Sequence, residues 1–233
     1  YFTSRGLKAG DCVAGLLPRT PELLITILAT WRMGAIYQPL FTAFESKAIE
    51  HRVNTAQTQF IVTNEEQRPK LNGVAVPHIL TVHQTQTLSH QDDDFWTELS
   101  QQSESFEPVM QTFEDDFLMM FTSGTTGLAK SVPVPLKAVL AFKGYMTHAV
   151  DLREEDSFWN LADPGWAYGL YYGITGPLSL GHSIIMDERA FSVDNAVQVI
   201  QKYKVSNLTG SPTAFRMFFG FKEKFDPSIK AHL

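Results

Sequence analysis

Phe121-Thr122-Ser123-Gly124-Thr125-Thr126-Gly127-Leu128-Ala129-Lys130 is the stretch around which the 233-residue chain is organised. It follows the apolar run Phe117-Leu118-Met119-Met120-Phe121, whose length and composition suit a buried strand better than a helix. Between Thr122 and Lys130 come four hydroxyls (Thr122, Ser123, Thr125, Thr126), two glycines (Gly124, Gly127) and one cation (Lys130). Glycine lets backbone N–H groups turn inward, hydroxyls add rotatable donors, and an ammonium neutralises oxygen charge. Each charge-assisted hydrogen bond from such a loop contributes roughly 1.5–3 kcal/mol, so several together can hold a triphosphate. A solvated Ser/Thr/Gly-rich loop is the plain alternative; the preceding strand and Lys130 favour a phosphate cradle.

Two kinds of phosphate loop compete. From Gly124 the chain reads GTTGLAKS, one residue from the P-loop pattern G-x-x-x-x-G-K-[ST], with Ala129 in place of the second glycine. A P-loop also needs a helix opening at the lysine, with its N-terminus aimed at the phosphates. Here Ser131-Val132-Pro133-Val134-Pro135 follows, and prolines at alternate positions bias their neighbours to extended geometry and exclude a helix. The loop is therefore expected between two extended segments.

With these residues in place, Thr122-Ser123-Gly124-Thr125-Thr126-Gly127-x-x-Lys130 resembles the signature loop of the adenylate-forming superfamily, which includes acyl-CoA synthetases, peptide-synthetase adenylation domains and luciferase. The resemblance implies that the loop grips the β- and γ-phosphates of ATP, with Thr125 and Lys130 as its catalytic residues. The chain departs from the pattern at the loop exit, with Ala129 where proline is usual and Ser131 where glycine is usual.

Composition narrows the function classes. With 19 Lys+Arg against 25 Asp+Glu, net charge −6, there is no basic field for nucleic acid or an anionic membrane. The 44% hydrophobic content supports a sizeable core, but no apolar run reaches the ~18–20 residues of a membrane span. Cys12, the single cysteine, reads as a buried small hydrophobe in a reducing compartment, so a cytoplasmic protein is expected. No His/Cys spacing suggests a metal site, and Asp92-Asp93-Asp94 is read as a solvated run. The chain starts without Met and stops at Leu233 where another strand should begin, so a piece of a larger protein is expected.

Along the chain, strands are expected at 11–17, 35–37, 60–63, 117–121, 157–161, 182–186 and 204–209. Helices are expected from Pro21 to about Gly34, over a segment carrying Phe44, Ala48, Ile49 and Val53, from Leu136 to Ala149 with Val139, Leu140, Phe142, Met146 and Ala149 inward, after a Ser192 cap with Val193, Ala196, Val197, Ile200 and Tyr203 inward, and from Pro212 with an apolar face read as core or interface. Residues 1–8 read as the end of a helix. This alternation means βαβ units and largely parallel sheets, an α/β fold in layers. A first portion is expected over about 1–115, with a polar excursion at 64–114, and a second over about 116–233 carrying the phosphate loop.

A second chemically suggestive stretch is Ala162-Asp163-Pro164-Gly165-Trp166-Ala167-Tyr168-Gly169, an aromatic pair on a Pro/Gly-shaped loop at a strand end, where doubly wound sheets place ligand pockets. It resembles the acyl-pocket block of the acetyl-CoA synthetase group, which implies that Trp166, Ala167, Tyr168 and Gly169 border the carboxylate and the pantetheine arm of CoA. The bulk of Tyr168 points to a small acid. Ser211-Pro212-Thr213 resembles the family's turn beside the acyl and CoA site, though an ordinary helix cap explains Ser211 equally well.

The resemblance covers nearly the whole chain and implies an AMP-forming acid:CoA ligase using ATP, Mg²⁺ carried by ATP, and CoA. The adenine, ribose and Mg²⁺ sites and a C-terminal lid with a catalytic lysine would follow Leu233, so this piece alone is expected to be inert. A degenerate nucleotide-binding module and a P-loop-type ATPase or kinase stay open as alternatives.

Overall fold

The computed structural model describes residues 1–82, 92–122 and 128–220, and these divide into two compact units, Tyr1–Lys137 and Ala138–Leu233. In the first, Gly10 at φ +82 turns the chain into β1 (Cys12–Leu16), every residue of which is buried. Residues 1–8, expected as a helix end, form a single turn closed by Arg5 N–H on the Tyr1 carbonyl (3.1 Å) and ended by Gly6 at φ +87.

Helix α1 (Pro21–Arg32) starts at Pro21, and Gly34 at φ +67 releases the chain into β2 (Ile36–Pro39). Helix α2 (Ser46–Ala56) begins after Phe44, which was expected within it, buries Ile49 and Val53 and ends at Gln57 in the left-handed region, delivering β3 (Phe60–Asn64). A 3₁₀ turn at Arg68–Leu71, β4 (His78–Val82), β5 (Asp93–Asp94) and α3 (Phe95–Ser100) come next. The polar stretch therefore extends the sheet, because Leu80 and Thr81 on β4 are buried against β3. Asp92 pairs with Arg68, Asp93 accepts from Tyr1 and pairs with Arg5, and Asp94 caps α3 through Thr97 N–H. The three aspartates are structural partners rather than a solvated run.

The strand entered at Asp116, β6 (Asp116–Phe121), pairs parallel with β2, and β7 (Ser131–Pro135) returns antiparallel along β6. The sheet runs β5-β4-β3-β1-β2-β6-β7, parallel throughout except for the β7 edge. Pro133 and Pro135 fit that edge, since proline cannot donate to a further neighbour. One face packs α2 through Ala14, Leu16, Leu40, Ile49, Val53 and Ile61.

The second unit opens with α4 (Ala138–His148), which buries Phe142 and Met146. Leu140 and Ala149, expected inward, face solvent, Leu140 at 62% exposure. β8 (Phe158–Asn160) leads through a turn into α5 (Ala167–Leu170), a π-helical turn (Tyr171–Thr175) and α6 (Gly176–Ser179). The strand expected at 182–186 does not form; among the described residues it has no ladder partner. Ser192 caps α7 (Val193–Tyr203) by accepting from Asn195 N–H at 3.1 Å. Val193, Ala196, Val199 and Ile200 pack inward, whereas Tyr203, expected inward, is 47% exposed. β9 (Asn207–Thr209) pairs parallel with β8, and α8 (Pro212–Gly220) follows.

Candidate functional site

Strand pairing positions the two ends of the stretch read as a phosphate loop. Because β1, β2 and β6 run parallel, their carboxyl ends share one edge of the sheet, and the chain leaves β6 there at Phe121. That edge is where open α/β sheets bind ligands. Thr122 N–H donates to the Lys130 carbonyl at 3.0 Å, and the ladder begins again at the Phe121/Ser131 pair, so the loop has a closed neck. Ser123, Gly124, Thr125, Thr126 and Gly127 lie outside the described residues. The chain after Lys130 is a strand, as the prolines require, so no helix N-terminus faces the loop from that side. The Lys130 side chain is exposed, with no ion pair among the described residues.

Two residues that sequence reasoning missed stand beside the neck. His51 Nε2 lies 2.7 Å from the Ala129 carbonyl oxygen. The Arg52 guanidinium carbon sits 4.1 Å from the Phe44 ring centre and 5.6 Å from that of Phe121. Both residues lie on α2, about 80 residues upstream of the neck in sequence, and nothing local signals the contact.

In the second unit, the carboxyl ends of β8 and β9 frame a cleft of ≈ 620 Å³. The structure brings Trp166, Tyr168, Ser211, Pro212 and Thr213 together on its wall, although more than forty residues separate the two motifs. Asp163 holds the entering turn: its Oδ1 accepts from Gly165 N–H at 2.7 Å and its carbonyl from Trp166 N–H at 3.1 Å. Ser211 caps α8, its Oγ accepting from Ala214 N–H at 3.3 Å.

Ala167 and Gly169 do not line the cleft. Gly169 serves close packing instead, since a Cβ there would lie 2.2 Å from the Asp163 carbonyl oxygen. Phe191 and Met217 line the cleft and were missed. Met217 shares a helical face with Thr213, four residues back, a spacing that could have flagged it had α8 not read as core.

The Tyr168 ring packs at 5.3 Å on Tyr172, which stacks on Tyr145 at 4.0 Å. Burial, reinforced by the neighbouring Tyr145 hydroxyl, pushes the Tyr168 phenol up to about 12, so it remains a neutral hydrogen-bonding group. The cleft wall is thus mainly apolar, with hydroxyls at Tyr168, Ser211 and Thr213. Such a surface suits an acyl chain or an extended amphipathic arm better than a polyanion. Among the described residues no group of three or more His, Cys, Asp or Glu is placed to hold a metal ion, and no helix is long and apolar enough to cross a membrane.

A sequence model of the family described as AMP-binding enzyme matches residues 1–232. The chain is 31% identical to an acetyl-coenzyme A synthetase of Pyrobaculum arsenaticum, over 94% of this chain and 36% of that enzyme. With the acetyl-coenzyme A synthetase of Bacillus subtilis it shares 30% identity, over 92% of this chain and 38% of the relative. The crystal structure of a Brucella canis acyl-CoA synthetase superposes with TM-score 0.92 and 50% identity, covering 99% of this chain and 42% of that one. The chain thus spans between a third and a half of the length of the relatives it matches.

Proposed function

The chain belongs to the AMP-binding enzyme family, and from that premise we propose that the intact protein is an AMP-forming acid:CoA ligase acting on a short-chain acid such as acetate or propionate. In the first half-reaction a carboxylate oxygen attacks the α-phosphorus of ATP, and pyrophosphate leaves to give an acyl-adenylate. In the second, the CoA thiol attacks the acyl carbon and AMP leaves. This chemistry needs charge stabilisation on the phosphates more than proton transfer.

The observation that carries the reading is the pair of strands β6 and β7 at the carboxyl edge of the sheet, closed at Thr122/Lys130 with Lys130 exposed. Lys130, with Ser123, Thr125 and Thr126, holds the leaving pyrophosphate, while Thr122, Gly124 and Gly127 shape the loop. Mg²⁺ carried by ATP would neutralise phosphate charge. Trp166, Tyr168, Ser211, Pro212 and Thr213 border the acyl group and the pantetheine arm, and Ala167 and Gly169 support that wall. The similarity to acetyl-coenzyme A synthetases and the bulk of Tyr168 favour a small acid. The reaction takes place in the cytoplasm and requires the intact protein, because the chain spans 36% to 42% of the relatives named above.

The test is acid-dependent exchange between ATP and labelled pyrophosphate by the intact protein, scanning acetate, propionate, butyrate, octanoate and an aromatic acid. Exchange strongest with acetate or propionate is expected. Exchange with octanoate alone would refute the small-acid assignment. ATP binding by calorimetry without exchange for any acid would point instead to a nucleotide-binding module.

A further inference from the structure

We propose that His51 is a positioning residue that holds Lys130 of the phosphate loop in place through the Ala129 carbonyl. A carbonyl oxygen only accepts, so His51 Nε2, 2.7 Å away, carries a hydrogen and donates it. That oxygen belongs to the planar peptide linking Ala129 to Lys130. Holding it fixes the plane containing the Lys130 nitrogen and Cα, and with it the point from which the side chain leaves the backbone. The Thr122 N–H bond to the Lys130 carbonyl, 3.0 Å, fixes the other side of the same residue. Lys130 is thereby gripped on both flanking peptides, one by the hairpin and one by α2.

The support behind His51 is itself braced. Its ring meets the edge of Phe121 with centres 6.5 Å apart, and the next residue, Arg52, lays its guanidinium over the same Phe121 ring and over Phe44. The Arg52 carbonyl accepts from the fully buried Gln38 amide at 3.1 Å, which ties α2 to β2 directly beneath. Ala129 lacks the ring that fixes φ in proline, so the carbonyl contact supplies restraint that the residue's own backbone does not. The chain of contacts runs from sheet core to helix to loop exit.

The catalytic consequence rests on the adenylation reading above; the contact itself does not. Both are tested on the intact protein with His51→Phe, which keeps a ring and removes the donor, and His51→Gln, which restores one. Without ATP, trypsin cleavage after Lys130, followed by mass spectrometry, should quicken about three- to tenfold in His51→Phe, as expected for loss of one partly buried hydrogen bond. In the pyrophosphate-exchange assay the same variant should lose a similar factor in kcat, with His51→Gln recovering most of it.

In a Lys130→Ala background the His51→Phe effect on exchange should vanish, because the two act as one unit. Unchanged cleavage at Lys130 in His51→Phe would overturn the proposal. So would an equal loss of exchange with and without Lys130. Absence of exchange in the unmodified protein would instead sink the adenylation reading, while the cleavage comparison would still decide the His51 contact.

Discussion

At the residue scale, Gly169 shows how a position flagged for ligand contact serves packing instead. Its missing side chain lets the start of α5 lie on the backbone of Asp163, and a Cβ would come within 2.2 Å of the Asp163 carbonyl oxygen and 2.8 Å of that of Ala162. Backbone atoms cannot swing aside as a flexible side chain can. Gly169→Ala should therefore destabilise the second unit by about 1–3 kcal/mol, the range for overpacking, and displace Trp166 and Tyr168 from the cleft wall. Chemical denaturation with tryptophan fluorescence checks both; an unaltered midpoint would show that the turn yields freely. Neighbouring Trp166 and Tyr168 do line the cleft, and both were legible from the aromatic pair on its Pro/Gly turn. Phe191 and Met217 were not, because an apolar side chain facing a cleft and one facing a core leave the same mark in sequence.

At the element scale, boundaries set by local chemistry were readable, and those set by partners were not. Pro21 opens α1, Ser192 caps α7 and the prolines after Lys130 keep β7 extended, each by an interaction within a few residues. His182–Met186 has strand-like composition but acquires no ladder, and β4 forms because β3 offers it one. The register of α2 on the sheet is likewise a long-range matter. It depends on Gln38, whose Oε1 accepts from the Thr58 hydroxyl at 2.6 Å while its Nε2 donates to the Arg52 carbonyl. Gln38→Leu should cost about 1–3 kcal/mol, since it removes the amide partner of both the Thr58 hydroxyl and the Arg52 carbonyl. Urea unfolding measures that loss, and the same variant should quicken trypsin cleavage after Lys130 by loosening α2. A stable variant with normal cleavage would show that α2 is held by its apolar face alone.

At the scale of the whole molecule, alternating strands and helices foretell a largely parallel α/β sheet, and the structure has one. Strand order was beyond local reading, because β6 reaches β2 across a separation of nearly eighty residues and only the assembled sheet chooses between neighbours. The same assembly puts the Thr122/Lys130 neck at the carboxyl edge of the sheet, the edge at which open α/β sheets bind ligands. The central claim, that this loop serves adenylation, distinguishes the two bonds of ATP that can be cleaved. ³¹P NMR of the intact protein turning over MgATP, CoA and acetate or propionate observes that choice directly. AMP and pyrophosphate in equal amounts, dependent on the acid, are the result the account requires; ADP and orthophosphate would contradict it.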